Sequence, residues 1–115
     1  HWFTRQYANY GDKVDQLPVD QHLLISLIAP RPVYVASAEG DQWADPKGEF
    51  LAVHYAKPVY ALYTSDLFKE AEQPATEVPL HSRVNYHYRK GPHDVFSYDW
   101  QQYLTVADRY FNASK

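Results

Sequence analysis

The sequence predicts an α/β fold in which parallel strands alternate with helices, and three observations lead to it. Pro32 to Ala38 is a charge-free run, β-branched and aromatic at its centre. A near-continuous apolar run of that length fits a parallel strand covered on both faces. Val84 to Arg89 is a second strand-like run, and each of the two leads through a turn into a helix-forming stretch. The resulting order of helix, strand, helix, loop, strand, helix is the alternation that builds parallel sheets.

The elements follow in turn. Residues 1–17 carry Trp2, Phe3, Tyr7 and Tyr10 around Gly11-Asp12 and read as irregular or as a short helix. Pro18 and Asp20 introduce a short helix over Gln21–Ile28, with Leu23, Leu24, Leu27 and Ile28 forming its apolar stripe, and Ala29-Pro30-Arg31-Pro32 stops it. After the first strand, Asp45 can cap a helix whose first position is Pro46, where a missing N–H costs nothing. That helix is expected to run to about Tyr55, with Pro58 ending it and opening a further short turn through Leu62.

Residues 65–79 hold Asp66, Glu70, Glu72, Glu77 and two prolines, and read as loop. In the second strand Val84, Tyr86 and Tyr88 share one face, and Asn85, His87 and Arg89 the other. Asp99 with Gln102 resembles a capping box for a final helix, with Trp100, Tyr103, Leu104, Ala107 and Phe111 as its apolar stripe.

Composition narrows the function classes. Hydrophobic residues make up 45% of the 115-residue chain and charged residues 22%, which argues against disorder. A formal charge of −3 favours neither nucleic acid nor an anionic membrane as partner. No apolar run approaches the roughly 20 residues of a membrane span. Cys is absent, which removes disulfides, thiolate catalysis and zinc–thiolate sites. The chain starts at His1 and contains no Met, so it is expected to be part of a longer product. Aromatic content is high at 17%, with 11 Tyr and 3 Trp; these residues either fill the core or face a sugar.

Two turns carry the candidate chemistry. His93 lies just beyond the second strand, in a turn begun by Gly91-Pro92, at the carboxyl edge where open parallel sheets place their reactive groups. A neutral imidazole can take a proton from a serine hydroxyl and return it to a leaving alcohol. The alternative is a turn histidine bonded to nearby backbone. Asp41 lies in the turn after the first strand, where its carboxylate can accept the other ring N–H of His93 and hold the tautomer. The alternative there is a turn aspartate bonded to its own backbone. Glu39 reads as a solvated or cap-supporting carboxylate. Delivery of acid and then histidine from consecutive strand ends is the chain order of the α/β-hydrolases. The nucleophile of such a set is not found in this sequence. His81, His87 and His93 recur every six residues, but at about 3.3 Å per strand residue the last two stand too far apart to share an ion. No metal site and no cofactor are expected; His-Glu-x-x-His and glycine-rich phosphate loops are both absent.

With these residues in place, the chain resembles the bacterial type of glucuronoyl esterase, carbohydrate esterase family fifteen. The resemblance is carried by Leu17-Pro18-Val19-Asp20-Gln21-His22, by Leu27 through Ala38, by Trp43-Ala44-Asp45-Pro46-Lys47-Gly48-Glu49-Phe50-Leu51, by Pro58-Val59-Tyr60, by Gly91-Pro92-His93-Asp94-Val95 and by Asp99-Trp100. Trp43–Phe50 together with Gly91–Val95 is the most telling combination. The resemblance implies that residues 1–115 are the C-terminal part of one α/β-hydrolase domain, a three-layer αβα structure whose sheet is incomplete here. It implies a secreted or periplasmic enzyme that cleaves esters between 4-O-methyl-glucuronic acid on xylan and alcohol groups of lignin. His93 matches the family's catalytic histidine, Asp41 an acid position, and Trp43 a tryptophan lining the uronate pocket. The family's serine, in a Gly-Cys-Ser-Arg type of elbow, and the oxyanion-supporting arginine beside it would lie upstream. Some members place the acid on a glutamate after an earlier strand, which would make Asp41 auxiliary. Other readings are another α/β-hydrolase, such as an acetyl xylan esterase or a dienelactone-hydrolase-like enzyme, and a non-catalytic carbohydrate-binding module.

Overall fold

The computed structural model describes residues 4–112, so the expectation for Trp2 and Phe3 lies outside the described residues. Two short 3-10 turns, Tyr7–Tyr10 and Val14–Gln16, precede helix α1 (Gln21–Ser26), strand β1 (Val33–Ala38), helix α2 (Pro46–Tyr60), strand β2 (Val84–Arg89) and helix α3 (Ser97–Phe111). The strands pair in parallel, in register from Val33 opposite Val84 to Ala38 opposite Arg89.

The alternation of side chains across this pair decides where the helices go. Val33 and Val35 of β1 and Val84, Tyr86 and Tyr88 of β2 point to one face, where they pack with Phe50, Val53, Ala56 and Tyr60 of α2. Tyr34 and His87 point to the opposite face, against Tyr98 and Tyr103 of α3. A helix therefore covers each face of the strands. Tyr86 anchors the α2 side further: its hydroxyl donates to Pro46 O (3.0 Å) and accepts from Gln73 Nε2 (2.8 Å).

Four details differ from the sequence expectation. Helix α1 stops at Ser26, because the turns after it tighten into i to i+3 bonds (Ile28 N–H to Ile25 O, 3.0 Å; Ala29 N–H to Ser26 O, 3.2 Å) on the approach to Pro30. Its contact with the core is the half-buried Ile25, whereas Leu23, Leu24 and Leu27 of the expected stripe are exposed. Helix α2 does not end near Tyr55 but runs unbroken through Pro58 to Tyr60. Pro58 sits in the last turn, and the fully buried Tyr60, whose hydroxyl donates to Arg31 O (3.0 Å), holds that turn in place.

The other two differences concern the loop and α3. The loop over 65–79 is better anchored than its composition suggests, since Phe68 is buried and Lys57 Nζ donates to the carbonyls of Phe68 (3.1 Å) and Glu70 (3.3 Å). Helix α3 begins at Ser97, so Asp99 is its third residue rather than its cap, and the Asp99 carboxylate accepts the Phe96 N–H (2.7 Å). This is the backward-reaching half of a capping box, with a carboxylate on the positive end of the helix. The sheet-facing residues of α3 are Tyr103, Val106 and Tyr110, while Trp100, Leu104 and Phe111 of the expected stripe stand exposed. Asp45 caps α2 as expected, accepting the Gly48 N–H (3.1 Å).

Candidate active site

Because β1 and β2 are parallel, the turns that follow them emerge at the same edge. Backbone bonding continues past the paired residues: Glu39 N–H donates to Arg89 O (2.8 Å) and Gly40 N–H to Gly91 O (2.9 Å). The two turns are thereby stapled together at the base from which their functional side chains project. His93 Nδ1 and Asp41 Oδ2 lie 2.5 Å apart. An Nδ1–H donated to the carboxylate leaves Nε2 as the atom free to exchange a proton. The imidazole is 87% exposed and the Asp41 side chain 17%, so the base faces outward from a carboxylate that is largely enclosed.

His93 and Asp41 line a cleft of about 380 Å³ with Ser37, Glu49, Asp94 and Tyr103 among its walls. Trp43, two residues after Asp41 in the 3-10 turn Gln42–Ala44, does not line it; its ring is 99% exposed. The structure therefore brings His93 and Asp41 together and leaves Trp43 exposed outside the cleft lining.

Glu49 was not singled out from the sequence. It projects from the first turn of α2 and accepts a hydrogen bond from Ser37 Oγ (2.6 Å). Burial pushes its carboxyl above the usual range; the Ser37 bond opposes this, and the negative charges of Asp41 and Asp45 add to it. The sequence signal is its place in the first turn of the helix that Asp45 and Pro46 start, inside the Trp43–Phe50 run.

A second set was also missed, in which His87, Arg89 and Asp99 are buried and Tyr34 is half-buried. Asp99 accepts from His87 Nε2–H (2.7 Å) and from Arg89 Nε (2.8 and 3.0 Å), and His87 Nδ1 accepts from the Tyr34 hydroxyl (3.0 Å). Burial holds the His87 imidazole below its ordinary range, against the pull of Asp99. Burial also pushes the Asp99 carboxyl up, but the Phe96 N–H, His87 and Arg89 together outweigh it and hold it low. The set is thus Tyr hydroxyl, neutral imidazole, carboxylate and guanidinium. Its signal was present in the strand: His87 and Arg89 share one face of β2, and a cation that becomes buried there needs a carboxylate. Among the described residues, no group of three or more His, Asp or Glu is placed to hold a metal ion.

The family model described as "Glucuronyl esterase, fungi" matches residues 1–64, more than half of the chain. The chain belongs to the glucuronoyl esterase family. Carbohydrate esterase MZ0003, from an unknown prokaryotic organism, is 44% identical over 110 residues, 96% of this chain and 26% of that protein. A 4-O-methyl-glucuronoyl methylesterase of Podospora anserina is 45% identical over 42 residues, 36% of this chain and 9% of that enzyme. Among solved structures, a promiscuous CE15 esterase from the marine bacterial metagenome superposes with a TM-score of 0.89 at 47% identity, over 96% of this chain and 28% of the other. A glucuronoyl esterase from Solibacter usitatus gives 0.87 at 47% identity, over 94% and 28%. The chain thus spans about a quarter of the length of these family members.

Proposed function

We propose that this chain is the C-terminal part of one α/β-hydrolase domain, in which β1 and β2 belong to a longer sheet, and that it supplies the acid and base of a serine-type carboxylic ester hydrolase. The substrate class is the ester joining glucuronic acid on xylan to lignin alcohols, and the parent protein is secreted or periplasmic. The observation that carries the reading is the 2.5 Å contact between His93 Nδ1 and Asp41 Oδ2 at one sheet edge. Family membership supports the substrate class, and the similarity to a 4-O-methyl-glucuronoyl methylesterase agrees with it.

In this mechanism Asp41 holds the His93 tautomer and stabilises the imidazolium. His93 Nε2 takes the proton of a serine hydroxyl as its oxygen attacks the uronate ester carbonyl. The imidazolium then gives that proton to the departing alcohol, leaving an acyl-serine. Water, deprotonated by the same Nε2, releases the uronic acid and regenerates the serine. Trp43, exposed two residues after Asp41, offers an apolar ring face to the sugar. The serine belongs to the part of the family fold that this chain does not span, so the 115-residue chain by itself is expected to be inactive.

The test uses the complete protein. It should turn over benzyl glucuronate in preference to acetylated xylan, and His93→Ala should lower kcat by about three to five orders of magnitude. Retention of more than a tenth of wild-type activity in that variant would remove His93 from the mechanism.

A further inference from the structure

The His93 side chain stands out in solvent at the tip of an irregular turn, yet it meets Asp41 at hydrogen-bond distance. Something must fix the backbone from which it projects. Arg89, the last residue of β2, is 3% exposed and reaches back around that turn. Its Nη1 donates to the carbonyls of Lys90 (2.9 Å) and Pro92 (3.0 Å), and its Nη2 to the carbonyl of Asp94. These acceptors bracket His93 on both sides. The Phe96 ring covers the guanidinium, 4.5 Å from its central carbon. Asp99, 2% exposed, holds Nε, and is held in turn by the Phe96 N–H and by His87.

A buried ion pair is weak evidence of a role in stability, because apolar residues of similar volume often serve as well. A planar fork that gathers three carbonyls does something they cannot. We propose that Arg89, locked by Asp99, is a positioning residue that sets the imidazole of His93 against Asp41 by clamping the turn from Lys90 to Asp94. The inference rests on the reading of His93 as the catalytic base.

The experiment takes the complete esterase carrying this segment, with His93→Ala as reference and two further variants. Arg89→Lys keeps the charge opposite Asp99 but lacks the fork. Arg89→Met with Asp99→Asn removes both charges together, so neither is left buried alone. In both, kcat on benzyl glucuronate should fall about 100-fold with KM within about threefold of wild type, the loss that a displacement near 1 Å can produce. The downfield proton resonance of the His93 Nδ1–H should be lost in both.

A folded variant with kcat within about threefold of wild type would overturn the clamp, as would an unchanged Nδ1–H resonance. If neither variant folds, the pair serves the core rather than His93, and the inference fails. An active His93→Ala protein would sink the reading of the base itself, separately from the clamp.

Discussion

Gly40 and Gly91 meet through their backbones, the N–H of Gly40 donating to the carbonyl of Gly91 at 2.9 Å just past the end of the paired strands. A Cβ added at Gly40 would fall 2.8 Å from that carbonyl oxygen and 3.2 Å from Pro92 Cα. Both neighbours are backbone and cannot swing aside, so a side chain at position 40 must push the two turns apart.

Gly40→Ala should therefore damage activity more than stability. In the complete enzyme, we expect kcat to fall at least about tenfold, with a stability loss of about 1–3 kcal/mol from overpacking. Kinetics beside a denaturant titration would check this. An alanine variant with full turnover would show that the spacing of the turns is not critical.

Asp41→Asn preserves shape and removes the charge that holds the histidine. A loss of about 10²- to 10⁴-fold in kcat is expected in the complete enzyme, because an amide can favour the wrong tautomer. If kcat drops less than tenfold, Asp41 is auxiliary and the acid lies on another carboxylate, as the glutamate of some family members suggests.

The buried set around Asp99 should make stability depend on pH. Burial keeps the folded-state pKa of His87 below its ordinary value, so below about pH 6.5 the unfolded chain takes up a proton that the folded chain resists. That contribution is intact above about pH 6.5 and is lost as pH falls towards the depressed folded value. Asp99, also held low, adds a second loss below about pH 4. Glu49 acts in the opposite sense: its raised carboxyl favours folding as it protonates. Denaturant midpoints of the complete protein should fall from about pH 7 to about pH 5, and His87→Gln should flatten that step. A flat wild-type profile over this range would count against a neutral, buried His87.

Expressed alone as 115 residues, the chain should self-associate. Among the described residues, β1 pairs only with β2, leaving its other edge open, while Leu24, Leu27, Trp100, Leu104 and Phe111 are exposed. Sedimentation would check this. Monomeric material with a sharp, cooperative melt would contradict it.

Both strands, the cap at Asp45 and the pairing of His93 with Asp41 were readable from residue pattern. The strands and the cap depend on local chemistry, charge-free β-branched runs and a carboxylate before a helix-starting proline, whereas the pairing joins residues 52 positions apart and needs the parallel register that brings both turns to one edge. The errors in α1, α2 and α3 share a different cause. Periodicity marks which residues are apolar, but which of them become buried depends on what stands opposite. Thus Ile25 and Val106 were covered rather than Leu24 and Leu104, and the packing of Tyr60 carried α2 through Pro58.

Sequence alone determined the order of elements and the two turns that carry the candidate chemistry, because these follow from interactions within a few residues along the chain. Only the tertiary structure decided that Arg89 reaches around the turn bearing His93, that Asp99 turns inward to meet it, and that Ser37 finds Glu49. Those partners are set by strand register and by the packing of α2 and α3 on opposite faces. A buried charge announces that it needs a partner; the fold determines which residue supplies it.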